Sequence, residues 1–131
     1  MAKPRSVSAR RVLKTKWFTK AARNSQISDE ELCGAIDEIA KGQGCDLGGG
    51  VWKKRLGDNR HRSIILAKNP RVWVYQFLFA KADSDNVSAS GLAALRRIAT
   101  EYEDTLTDAQ VARLIKDQGW KEICNAKDAE A

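Results

Sequence analysis

The chain has 131 residues, 43% of them hydrophobic, which suits one domain with a single core and excludes a disordered chain. Its longest apolar stretch, residues 72–80, is too short to span a bilayer, and the basic start lacks the apolar segment of a secretory signal. The net charge is +6, and residues 1–28 and 53–81 each carry eight Lys and Arg against at most one acid. Such blocks attract phosphate if the fold gathers them on one face, although a solvated surface explains the charge equally well.

The domain prediction is simple. We expect a flexible basic tail over residues 1–11, a single domain over 12–124 and a disordered tail over 125–131. The cysteines, Cys33, Cys45 and Cys124, lack the spacing of a zinc knuckle, so we predict no metal and no small-molecule cofactor. Reduced thiols in a cytoplasmic protein are the simplest interpretation of these cysteines.

The first half of the chain predicts a short strand and two helices. The elements are a strand starting at Val12, a helix over 16–23, a helix from Ser28 to Gly42 and a glycine-rich loop over 43–50. Ser28 is a natural N-cap, and Glu31 completes a capping box. The glycines are not followed by Lys-Ser or Lys-Thr, so they form no P-loop.

The second half predicts a sheet followed by helices. Three strands over 51–56, 62–67 and 71–80 are separated by short turns, which favours an antiparallel meander. Ser88 and Thr107 then cap two helices, and residues 120–124 add a short strand. The fold class is therefore α+β, a small antiparallel sheet of a three-strand meander with flanking short strands, packed with two N-terminal and two C-terminal helices.

Basic residues converge on one end of this predicted meander. Strand alternation puts Lys53 and Arg55 on the same face. Arg62 opens the next strand, beside Arg55, and Lys81 closes the third strand at the same end. The four side chains would form a cationic pocket, which serves either RNA cleavage or phosphate binding without catalysis.

RNA cleavage without a metal needs such a pocket. The 2′-hydroxyl must lose a proton, the charged phosphorane must be stabilised and the 5′-oxygen must gain a proton. Neighbouring cations favour the neutral amine of a lysine, which can then act as a base, and arginines bind phosphate oxygens bidentately. His61 is the one conventional acid–base residue, but alternation directs it away from Arg62, so we interpret it as a surface turn residue.

The ordered set of these motifs resembles a known family. It comprises residues 45–56, Arg62, residues 79–81 and Asn86 before the helix that contains residues 92–95, together with residues 14–18 and 28–32. Over residues 12–123 the chain is similar to RelE/HigB-like toxins of type II toxin–antitoxin systems, within the RelE/ParE superfamily.

This resemblance implies a microbial-ribonuclease-type fold and a ribosome-dependent mRNA endoribonuclease, or mRNA interferase, that inhibits translation. It also implies a cognate antitoxin, often a helix-turn-helix DNA-binding protein. The short apolar stretches, in turn, predict no membrane partner. Lys53 and Arg55 match the family's paired basic residues, Arg62 the arginine that steadies the scissile phosphate, and Lys81 the basic residue that closes the last strand. The further RNA-binding candidates are Lys54, Arg60, His61 and Asn86.

The sequence departs from the family pattern at two positions. The best-known RelE toxins have an arginine after the lysine of the last strand and a tyrosine downstream, where this chain has Ala82 and Ser88. The identity of the general acid therefore stays open. Two alternatives also stay open, a ParE-like topoisomerase poison of the same fold and a non-catalytic nucleic-acid-binding regulator.

Overall fold

The computed structural model describes residues 10–69, 71–83 and 86–124. The strands are β1 (Arg11–Lys14), β2 (Cys45–Gly48), β3 (Val51–Leu56), β4 (His61–Lys68), β5 (Val72–Ala80) and β6 (Lys121–Ile123). The helices are α1 (Lys16–Asn24), α2 (Asp29–Ala40), α3 (Ala89–Thr105) and α4 (Asp108–Asp117). The α+β class is confirmed. The predicted C-terminal tail and residues 1–9 of the predicted N-terminal tail lie outside the described ranges. None of the four helices combines the length and apolar composition needed to cross a membrane.

The sheet is mixed, with the strand order β2-β3-β4-β5-β1-β6. Strands β3, β4 and β5 pair antiparallel in sequence order, whereas β1 pairs with β5 in parallel. The prediction of a loop over residues 43–50 is wrong for Cys45–Gly48, which forms strand β2. It pairs with the free edge of β3, where Cys45 lies opposite Lys53 and Asp46 lies opposite Trp52.

Helices cover both faces of the sheet. The α1–α2 face buries side chains such as Phe18, Leu32, Ile36, Ile65 and Tyr75 in one apolar cluster. On the α3–α4 face, Leu95 and Ala99 of α3 pack on the middle of the sheet, and Val111 of α4 packs near β1. Burial on both faces explains why residues 64–67 of β4 and the first half of β5 form continuous apolar runs.

Local caps begin the helices as predicted. The hydroxyl of Ser28 accepts a hydrogen bond from the backbone N–H of Glu31 at 3.1 Å, and Ser88 and Thr107 cap α3 and α4 in the same way. The Glu31 side chain has a different partner from the one that a capping box predicts. Its Oε2 accepts from the backbone N–H of Gly57 at 2.7 Å, which ties α2 to the turn between β3 and β4.

The prediction of reduced cysteines is wrong for two of the three. Cys33 of α2 and Cys124, just after β6, form a disulfide with their Cα atoms 5.6 Å apart. The fold brings together residues separated by 91 positions, at a Cα distance typical of disulfides. Cys45 is a free and exposed thiol.

Candidate functional site

The sheet register brings the predicted basic residues to one end of the α3–α4 face. Arg55 lies directly opposite Arg62, and Arg62 lies opposite Phe79. Lys53, two residues before Arg55, shares its face. The backbone N–H of Lys81 donates to the carbonyl of Arg60 at 2.9 Å, so Lys81 follows β5 at the same end of the sheet. We call Lys53, Arg55, Arg62, Lys81 and Asn86 the cationic cluster.

Arg62 is the buried member of this cluster. Its side chain is only 2% exposed, and Nη1 donates to the carbonyls of Asn59 and His61, both at 3.2 Å, and to Oδ1 of Asn59 at 3.1 Å. Asn59 has a positive φ of 70°, a backbone conformation that is uncommon for residues other than glycine. The guanidinium of Arg62 therefore stabilises a turn with an uncommon backbone conformation. The side chain that meets solvent at this register position is therefore Arg55, which is exposed.

Lys53 and Asn86 form the second contact within the cationic cluster. Nζ of Lys53 donates to Oδ1 of Asn86 at 2.9 Å. Asn86 is exposed and lies three residues before α3, so the contact joins β3 to the segment that leads into that helix. In this contact the acceptor is a neutral amide, which orients the side chain of Lys53.

Lys54 and His61, two of the predicted RNA contacts, lie on the α1–α2 face. Nζ of Lys54 forms an ion pair with Oε1 of Glu38 at 2.7 Å, and this contact lowers the pKa of Glu38. His61 lies opposite Leu56, and its Nδ1 is buried with no hydrogen-bond partner among the residues that the structure describes. Strand alternation thus keeps both side chains away from the cationic cluster, whereas Arg60 is exposed in the adjoining turn.

The two positions that depart from the family pattern supply no titratable side chain. Ser88 is the N-cap of α3, and its Oγ accepts from the backbone N–H of Gly91 at 3.0 Å. Ala82 is exposed in the turn after β5. Within the described ranges, no group of three or more His, Cys, Asp or Glu residues is arranged to hold a metal ion.

Sequence reasoning missed one exposed aromatic surface, beside the end of β5. The side chains of Trp17 and Phe77 are 53% and 42% exposed, although large aromatic residues are usually buried. The signal that could have found this surface is the spacing of Lys16, Lys20 and Arg23, which places three cations on one face of α1.

Comparison with known proteins identifies a family. The family described as "RelE toxin of RelE / RelB toxin-antitoxin system" matches residues 10–123. No curated protein and no solved structure gives a significant match. The family match covers almost the whole described part of the chain, and the α+β architecture is compatible with it. The chain therefore belongs to the RelE toxin family, whose members are generally endoribonucleases that act with a cognate antitoxin.

Proposed function

We propose that this protein is a ribosome-dependent endoribonuclease that cuts mRNA at the cationic cluster and so inhibits translation. The observation that carries the proposal is the register of β3 and β4, which sets the exposed Arg55 beside the buried Arg62 with Lys53 on the same face. Positive charge is thereby concentrated at one end of the sheet, where it attracts the phosphates of an RNA strand.

The proposed chemistry divides between three side chains. Lys53, oriented by Asn86, is the proposed base that accepts the proton of the 2′-hydroxyl. The 2′-oxygen then attacks phosphorus and the bond to the 5′-oxygen breaks, which leaves a cyclic phosphate and a 5′-hydroxyl. Arg55 binds the non-bridging oxygens as their charge grows, and the exposed ammonium of Lys81 is our candidate to protonate the 5′-oxygen.

Arg62 receives a different role from the one that the family resemblance implies. Because it is 2% exposed and bonded to the turn at Asn59, we assign it to positioning that turn and to the local positive field. The exposed Arg60 in the same turn is the proposed further RNA contact. We propose that the antitoxin, a helix-turn-helix protein, covers this surface in the cytoplasm until the toxin is released.

Mapping of mRNA ends after induction of the chain in cells tests the proposal. We expect new ends inside translated frames with the wild type, and at least about a hundredfold fewer with Arg55→Gln, because one transition-state donor is lost. Arg97→Gln is the matched control, since this exposed arginine lies on α3 outside the cationic cluster. Growth arrest with intact mRNA would instead support a topoisomerase poison, and the absence of both arrest and cuts would support a binding module.

A further inference from the structure

A large groove lies between α1, the end of β5 and the segment from α4 to β6. Its volume is about 1110 Å³, and five cations line it against the single carboxylate of Asp117. The cations are Lys16, Lys20, Arg23, Arg113 and Lys121. None of the five forms a side-chain ion pair with another residue in the described part of the chain. The groove therefore presents strong positive charge over three separate elements.

An aromatic pair forms one wall of this groove. The rings of Trp17 and Phe77 meet edge to face with their centroids 5.6 Å apart, and both side chains are substantially exposed. The fold explains why Phe77 is open. Strand β1 ends at Lys14, whose partner is Tyr75, so in the described part of the chain β5 has no neighbouring strand on that side beyond Tyr75. Exposed aromatic faces between cations are the usual components of a site for single-stranded nucleic acid.

A second groove connects the aromatic pair to the cationic cluster. It has a volume of about 660 Å³, has an apolar lining along β5 and α3, and is bounded by Trp17 and Phe77 and by Asn86. Phe77 lies opposite Ile64, which lies opposite Lys53, so the two outer residues are two strand spacings apart, about 10 Å. A single strand that leaves the cationic cluster can thus follow a continuous surface to the large groove.

We propose that the large groove binds single-stranded RNA outside the cleavage position, with a base stacked on Trp17 and Phe77 and phosphates on the surrounding cations. The proposal rests on the proposed function for its ligand class. RNA uses both features of the groove, because successive phosphates neutralise several cations and every base offers a face for stacking. A protein segment on the apolar lining is the alternative occupant that the experiment must exclude.

Fluorescence anisotropy with a labelled, uridine-rich RNA of about 12 nucleotides measures this binding on the full chain. Trp17→Leu should weaken the affinity at least about tenfold because it removes the stacking face, whereas Trp17→Phe should restore most of it. Arg113→Gln should weaken binding. It should also reduce the slope of log affinity against log salt concentration by about one, as expected when one phosphate contact is lost. Lys116→Gln is the matched control, since it changes an exposed cation of α4 that does not line the groove.

Two results would overturn the proposal. One is the absence of RNA binding by the wild type, and the other is equal affinity in the wild type, Trp17→Leu and Arg113→Gln, which would leave a protein partner as the occupant. Failure of the proposed nuclease gives a different pattern. In that case Trp17→Leu still weakens RNA binding, while wild-type protein produces no cuts in translated mRNA.

Discussion

The amine of Lys53 and the side-chain amide of Asn86 lie 2.9 Å apart and share a hydrogen bond across 33 positions of sequence. The contact reaches from β3 to the segment before α3, so the direction of the amine depends on two elements that are remote in the chain. An amide accepts a hydrogen bond from the amine without a negative charge, and so it orients the lysine without stabilising its protonated form as strongly as a carboxylate would.

We predict that Asn86→Asp reduces mRNA cleavage more than Asn86→Ala does. A carboxylate at this position favours the ammonium form of Lys53 and removes the proposed base, for a loss of about a hundredfold or more. Alanine removes only the orientation. Asn24→Ala, an exposed asparagine at the end of α1, is the control. Primer extension on an mRNA in a reconstituted translation reaction measures the rates, and equal activity of the two Asn86 variants would argue against Lys53 as the base.

Arg55 and Arg62 lie opposite each other, but we predict different consequences when each is replaced by methionine. Arg62→Met leaves the acceptors at Asn59 and His61 without their buried donor, and should lower the free energy of unfolding by about 2–4 kcal/mol. Arg55→Met changes an exposed side chain and should alter it by less than about 0.5 kcal/mol. Urea unfolding followed by tryptophan fluorescence measures the free energy of unfolding of both variants. Equal values would show that the hydrogen bonds of Arg62 to the turn do not stabilise the fold.

Much of the fold could be predicted because its signals are local. The caps at Ser28, Ser88 and Thr107 depend on residues only three positions away, and all three are observed. Strand β2 could not be predicted in this way. Its residues, Cys45–Gly48, have little strand propensity and pair only because the edge of β3 is available to them.

The site shows the same division between local and tertiary information. Alternation along β3 was enough to place Lys53 and Arg55 together. The burial of Arg62 depends on the conformation of the turn at Asn59, and the exposure of Phe77 depends on where β1 ends. These two features require the packed structure, so the sequence pattern alone could predict neither the burial of Arg62 nor the exposure of Phe77.

The Cys33–Cys124 disulfide should contribute measurably to stability. It closes a loop of 91 positions, and removing a crosslink of that length costs about 2–5 kcal/mol. Cys124→Ser, or dithiothreitol added to the wild type, should therefore lower the free energy of unfolding by about 2–5 kcal/mol. Cys45→Ser is the control, because that thiol is exposed and unpaired in the described structure. Titration of three free thiols in the native, unreduced protein would contradict the crosslink.

Tyr102 should make the protein less stable in alkali. Burial raises the pKa of its hydroxyl to about 12, and the hydroxyl donates to Oε1 of Gln76 at 3.1 Å. In the unfolded chain a tyrosine titrates near pH 10, so between about pH 10 and pH 12 the unfolded state loses a proton that the folded state retains. The free energy of unfolding therefore falls as the pH rises through this window.

Urea unfolding of the wild type and of Tyr102→Phe measures this effect. Because Tyr102 is only partly buried, we expect the free energy of unfolding of the wild type to fall by about 1 kcal/mol more than that of Tyr102→Phe between about pH 9 and pH 11. Identical losses in the two proteins would show that the hydroxyl of Tyr102 ionises as readily in the folded chain as in the unfolded one.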